Sequence, residues 1–283
     1  MDTKERKRLG LGMIFIFSIV LFSISLYFLM GMFRQKKESE ALKEELTAIY
    51  LSDGAVTESS IPAEMEQPEM TQKQNENSKE QETVSPGLLA LHEENKDCIG
   101  WLSIPGTGID YPVMFHPEEK EYYLRRDFYG GYSAAGSLFL SEDCDLLTSD
   151  QLIIYGHHMA DGTMFAPLVG YKNEEFYREH PVISFDTLYG LCQYEIIAAF
   201  CTPVYTGRDF AYYAFINAES EAEFNTYLQA VQARALYATG KSAAYGDQLL
   251  SLSTCEYSQA NGRLVVVAKL ISNNGTEVFY DKE

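Results

Sequence analysis

The sequence predicts a mainly β fold, a barrel or sandwich of eight strands, carried behind a single apolar N-terminal helix. Three observations predict it. Eight short apolar runs rich in β-branched and aromatic residues, each bounded by turn residues, occur over ~200 residues. A stretch of 25 residues from Leu9 to Phe33 holds no charge. The 283 residues are 46% hydrophobic and 22% charged, enough to bury a sizeable core and unlike a collagenous or wholly disordered chain.

The elements follow in order. At ~1.5 Å per residue, the stretch from Leu9 to Phe33 makes a helix of ~37 Å, long enough to span a bilayer. A cleaved signal peptide has a shorter apolar core of ~7–15 residues followed by small residues. Here Arg34, Lys36 and Lys37 follow, which favours an uncleaved anchor. Basic residues on both flanks leave orientation nearly undecided by charge, with a slight bias to an inside N-terminus. Residues 1–8 therefore read as a basic N-terminus, 9–33 as a transmembrane anchor, 34–86 as a flexible acidic linker and 87–283 as the globular domain. The linker composition, dominated by Glu, Gln, Ser, Thr and Asn, buries too little apolar surface to offset ordering entropy. Its first stretch, Glu38 to Tyr50, carries Leu42, Leu46 and Ile49 at helical spacing and can continue the anchor helix.

Ser85 and Pro86 fit the cap and first position of a helix bearing Leu88 and Leu91. Strands are expected at 99–104, 111–115, 136–140, 151–155, 182–185, 193–202, 248–254 and 263–271. A helical turn or two falls within 165–179. A longer helix over 219–236 carries Phe224, Tyr227, Leu228, Val231 and Ala235 on one stripe that should pack on the sheet.

With 22 Lys and Arg against 41 Asp and Glu, the net charge of −19 excludes a nucleic-acid partner for the folded part. Five cysteines (Cys98, Cys144, Cys192, Cys201 and Cys255) lack the paired spacing of a zinc site, and an odd number leaves at least one thiol free. No metal or cofactor is expected.

Two segments could carry chemistry. In Leu249 to Tyr257, alternation puts Ser251, Ser253 and Cys255 on the more polar face. Asn261-Gly262 then signals a tight turn, so in an antiparallel hairpin Cys255 should lie beside Arg263. An adjacent guanidinium favours a thiolate and can polarise a carbonyl oxygen; the alternative is an inert packing cysteine. The second segment is an apolar strand ending in Gly156, His157 and His158. Adjacent histidines point to opposite sides of an extended chain, which argues for one acid/base group rather than a metal pair. Two half-exposed structural histidines are the alternative.

Together the fragments are more specific. Gly156-His157 at a strand end, Leu252-Ser253-Thr254-Cys255 about 100 residues later and Arg263 eight residues beyond resemble the sortases, membrane-anchored cysteine transpeptidases of Gram-positive bacteria. Ile154 to Met159, Asp161 to Phe165, Tyr122-Tyr123-Leu124, Ala135 to Phe139 and a helix inserted before the cysteine strand resemble class B in particular. Ser251 stands where the family signature has Thr, and Arg125 where class B relatives often carry Asn. The resemblance spans roughly residues 87–272. It implies a sortase-type barrel outside the membrane with the N-terminus inside, and no cofactor. It also implies Cys255 as nucleophile, His157 as acid/base and Arg263 as the group that binds the substrate backbone or oxyanion. Ser253, Thr254 and Glu256 would line the peptide groove. The implied partners are a sorting-motif peptide of a secreted protein, cleaved after Thr, and an amine acceptor on a peptidoglycan precursor or pilin lysine. Asp161 and Asp186 are not singled out by spacing, so the third triad place stays empty, and the other four cysteines read as packing residues. A cell-wall cysteine peptidase and a non-catalytic membrane-tethered assembly factor remain as alternatives.

Overall fold

The structure, a computed structural model, describes residues 3–52, 84–204, 210–257 and 261–274. It divides into two compact units, residues 1–45 and 46–283. In the first, the helix α1 (Thr3–Leu51) begins and presents Phe15, Phe17, Phe22, Tyr27 and Phe28 with at least 64% of each exposed. The segment Phe15–Leu51 is long and apolar enough to cross a membrane, with a mean hydropathy of 2.2 over its most apolar window. The helix runs without a break through the stretch after Phe33, as the spacing of Leu42, Leu46 and Ile49 suggests; residues 53–83 of the expected linker lie outside the described residues.

The second unit is a closed eight-stranded barrel, which decides between the barrel and the sandwich. Its strands are β1 (Cys98–Ser103), β2 (Asp110–Met114), β3 (Leu138–Leu140), β4 (Gln151–Tyr155), β5 (Val182–Thr187), β6 (Gly190–Pro203), β7 (Leu249–Glu256) and β8 (Gly262–Asn273). Around the barrel the order is β1-β2-β3-β4-β7-β8-β6-β5, with β5 returning to β1. Pairing is antiparallel except for β2 with β3 and β4 with β7. Each strand lies at an apolar run of the sequence, because β-branched and aromatic side chains fill a pleated surface covered on both sides.

Helices pack against the barrel. α2 (Pro86–Glu94) starts at Pro86 and buries Leu88 and Leu91. Ser85 occupies the cap position without a side-chain bond; its carbonyl accepts from the Leu89 N–H at 3.1 Å. Between β4 and β5 lie a 3₁₀ turn, Ala166–Lys172, and the short helix α3 (Glu174–Glu179). Before β7 comes α4 (Glu221–Gln232), capped by Ser220, whose hydroxyl accepts from Glu223 N–H at 3.3 Å. Its stripe of Phe224, Tyr227, Leu228 and Val231 is buried, and Tyr227 stacks on Phe215 with centroids 3.9 Å apart. Such side chains contribute roughly 1.5–3 kcal/mol each on burial.

The end of α1 belongs to the barrel unit. Leu46 is 3% exposed, and one turn later Tyr50 stacks on Trp101 at 4.3 Å and 5°. The Tyr50 hydroxyl donates to Asp186, which sits opposite Trp101 in the β1–β5 pair. Burial raises the Asp186 pKa and pushes the Tyr50 phenol far above its ordinary value, so this carboxylate depends on the phenol as a donor. Tyr50→Ala, which removes both the stack and the donor, is expected to destabilise the barrel by about 2–4 kcal/mol. Thermal melts of the full chain in detergent should fall by roughly 5–10 °C. Tyr50→Phe, which keeps the ring, should lose less than half of that.

Candidate active site

The register of two strand pairs builds the site. β4 and β7 run parallel, with Tyr155 opposite Ser253, so both chains reach the same rim of the barrel together. Beyond the last pair, Gly156 N–H donates to Ser253 O at 3.2 Å and Thr254 Oγ1 donates to Gly156 O at 2.8 Å. Gly156 must be glycine for a packing reason: a Cβ there would lie 2.4 Å from Leu138 Cδ2 and 2.6 Å from Phe165 Cδ2, both in the core. The next residues on the two chains are His157 and Cys255. On the other side of β7, Cys255 pairs directly with Arg263 of β8, after a turn in which Asn261 takes a φ of 53°.

His157, Cys255 and Arg263, all half-buried, line one cleft of about 410 Å³, together with Leu124, Phe139, Tyr155, Tyr212, Tyr213, Ser253 and Thr254. The imidazole of His157 donates from Nε2 to the carbonyl of Leu124 at 2.8 Å. A carbonyl can only accept, so the neutral ring carries its proton on Nε2 and leaves Nδ1 as its basic nitrogen. Burial lowers the His157 pKa, and the guanidiniums of Arg125 and Arg263 push the same way against the Leu124 bond. The environment of the imidazole therefore favours its neutral form.

His158 faces elsewhere. Its Nδ1 donates to Cys255 O at 3.1 Å and its ring lies 5.2 Å from that of Tyr257, so the two histidines diverge as alternation requires. Asp161 accepts from Thr163, and Asp186 accepts from Tyr50; neither lines the cleft. The partner of His157 is instead a main-chain carbonyl, which no side-chain motif could reveal.

The groove residues divide. Ser253 and Thr254 line the cleft, but Ser253 is only 1% exposed and its hydroxyl is bonded to the Tyr212 hydroxyl at 2.7 Å. Glu256 is 6% exposed, is not among the residues lining the cleft and accepts from Lys172 Nζ at 2.6 Å. Arg125 donates to Ala134 O at 3.0 Å and also stands outside the lining. Tyr212 and Tyr213 are cleft residues that the sequence did not single out. Buried Gln151 holds this insert, donating to the carbonyls of Tyr212 at 3.0 Å and Phe215 at 2.7 Å while accepting from Ser251 Oγ at 3.1 Å and from the Tyr227 hydroxyl.

The other four cysteines do not line the cleft. Cys98, Cys144 and Cys192 are buried, which pushes their thiols up to about 12, about 12 and about 11; burial also raises Cys201. Among the described residues, no group of three or more His, Cys, Asp or Glu is placed to hold a metal ion.

The sortase domain family matches residues 102–271. The chain belongs to the sortase family. Sortase B of Listeria monocytogenes is 31% identical over 264 residues, covering 92% of this chain and 93% of the relative. Sortase B of Staphylococcus aureus is 34% identical over 197 residues, covering 69% and 78%. A structure of the Staphylococcus aureus sortase B-substrate complex superposes with a TM-score of 0.62 at 33% identity, covering 69% of this chain and 89% of that one. This sortase is thus of class B, a cysteine transpeptidase.

The His157 environment makes a testable statement about this sortase. In an NMR titration its imidazole should titrate below the ordinary histidine value, and Arg125→Gln should raise it while leaving the Nε2–H tautomer unchanged. A wild-type value at or above the ordinary one would contradict the electrostatic account.

Proposed function

We propose that Cys255 is the nucleophile, His157 the acid/base and Arg263 the oxyanion or backbone donor of a transpeptidation on a C-terminal sorting peptide. In this reading the Cys255 thiol passes its proton to His157, and the thiolate attacks the carbonyl of a Thr in the peptide. The tetrahedral oxyanion is held by the Arg263 guanidinium, whose planar fork a lysine cannot reproduce. The C–N bond after Thr breaks as His157 returns its proton to the leaving amine, leaving a thioester on Cys255. An incoming amine attacks the thioester, gives a proton to His157 and releases the thiolate. Atoms and protons balance, with one amide exchanged for another.

The observation that carries this reading is the convergence of His157, Cys255 and Arg263 on one cleft, with Cys255 and Arg263 a direct cross-strand pair. The substrate complex of the Staphylococcus aureus relative supports a peptide as the occupant. Ser253 and Thr254 would contribute groove wall, and the rings of Tyr155, Tyr212 and Tyr213 would flank it. The acceptor is taken to be an amine of a peptidoglycan precursor or a pilin lysine. Residues 9–33 are taken as a single-pass anchor in the cell membrane with the N-terminus inside and the barrel outside. The stretch from residue 34 up to the barrel unit then serves as the connection, which keeps the enzyme near membrane-held substrates and raises their local concentration without any new contact.

The test uses the full chain in detergent with peptides of the Asn-Pro-x-Thr and Leu-Pro-x-Thr-Gly types and a glycine or diaminopimelate amine, products being read by mass spectrometry. A peptide–amine adduct that disappears in Cys255→Ala is expected, and Arg263→Lys should lower its rate by roughly 10²-fold. Cleavage to free acid at every amine concentration would indicate a peptidase. Full activity in Cys255→Ala would overturn the assignment.

A further inference from the structure

Glu256, next in the chain after Cys255, is almost completely buried, and its carboxylate is held by Lys172 at 2.6 Å. Successive side chains of a strand point to opposite faces, so Glu256 leaves β7 on the side away from the cysteine. Lys172 ends the 3₁₀ turn Ala166–Lys172. That turn grows directly out of the histidine segment, since Phe165 N–H donates to His157 O at 2.9 Å. The same segment touches the cysteine chain again where His158 Nδ1 donates to Cys255 O at 3.1 Å. The chain from His157 to Lys172 is thus fastened to the end of β7 at both of its own ends. The second fastening is ionic, and the carboxylate half of it is shielded from water.

We propose that Lys172 is a positioning residue of the reaction: its ion pair with Glu256 clamps the end of β7 to the histidine-bearing segment and so fixes the nucleophile against its base. Main-chain pairing ties the end of β7 to β8, with Glu256 opposite Gly262, while the Lys172 pair ties it to the histidine-bearing segment. Removing the cation breaks the tie between this shielded carboxylate and the histidine-bearing segment, and the strand end can then rotate relative to that segment. Cys255, one residue back, would rotate with it. A misalignment of that kind lowers the chemical step more than peptide binding. Lys172 itself is not among the residues that line the cleft, so it acts through Glu256 and not on substrate.

The proposal rests on Cys255 and His157 being nucleophile and acid/base, and the experiment separates the two. Steady-state cleavage of a quenched-fluorescence Asn-Pro-x-Thr peptide is measured with the full chain in detergent, well below the melting temperature of each variant. Lys172→Met is expected to lower kcat about tenfold with KM within about twofold. Lys172→Arg should restore most of the rate. Glu256→Gln should lose a similar amount, and the double variant should be no worse than either single, as a shared interaction requires. Should Lys172→Met fail to fold, Lys172→Glu combined with Glu256→Lys is compared with Lys172→Glu alone, and recovery of rate is expected. Unchanged kcat in Lys172→Met, additive losses in the double variant, or no recovery in the exchanged pair overturns the clamp. Turnover that survives Cys255→Ala overturns the catalytic assignment and the clamp with it.

Discussion

Parallel strands cannot be joined by a tight turn, and the β4–β7 pair brings together two chain ends separated by about 100 residues. The crossover between them contains the 3₁₀ turn, α3, β5, β6 and α4, so the rim joins segments that are far apart in the sequence. What the pairing supplies is register. Tyr155 opposite Ser253 puts Gly156 beside Thr254 and brings His157 level with Cys255. The β7–β8 hairpin then adds Arg263 at no further topological cost, because Cys255 and Arg263 are its penultimate pair. A shift of one residue in either ladder would turn Cys255 to the opposite face, away from the cleft.

Polar groups inside the domain reinforce that register. Gln151, at the start of β4, bonds the Tyr212–Phe215 insert, the helix α4 through Tyr227, and β7 through Ser251. Ser253 continues the series to the Tyr212 hydroxyl. Each side-chain group in this chain has a partner, as burial requires, and the result ties the cleft wall to the strand that carries the cysteine. Burial meanwhile raises the thiols of Cys98, Cys144, Cys192 and Cys201.

Much of this was legible in the residues. All eight strands were visible as apolar runs because each is rich in apolar, β-branched or aromatic residues and bounded by turns. The Cys255–Arg263 neighbourhood followed from the Asn261-Gly262 turn, which fixes an antiparallel register locally. The β4–β7 pairing was not legible in the same way, since a parallel partner a hundred residues away leaves no local periodicity; only the resemblance to a family linked the two motifs. Ser251 and Ser253 read as the more polar face of the strand, but both are buried, Ser251 donating to Gln151 of β4 and Ser253 bonded to Tyr212 of the insert. Glu256 was read as groove lining from the family resemblance, whereas the structure pairs it with Lys172, 84 residues away, which no local pattern links to it. The Leu124 carbonyl that orients His157 had no side-chain signature at all.

The measurement that bears most directly on this account is the alkylation rate of each of the five cysteines by iodoacetamide, resolved by peptide mass spectrometry on the full chain in detergent. The rim geometry predicts that Cys255 reacts at least tenfold faster than Cys98, Cys144, Cys192 and Cys201, and that His157→Ala and Arg263→Ala each slow Cys255 alone. Equal rates at Cys201 and Cys255, or a Cys255 rate indifferent to both substitutions, would contradict it.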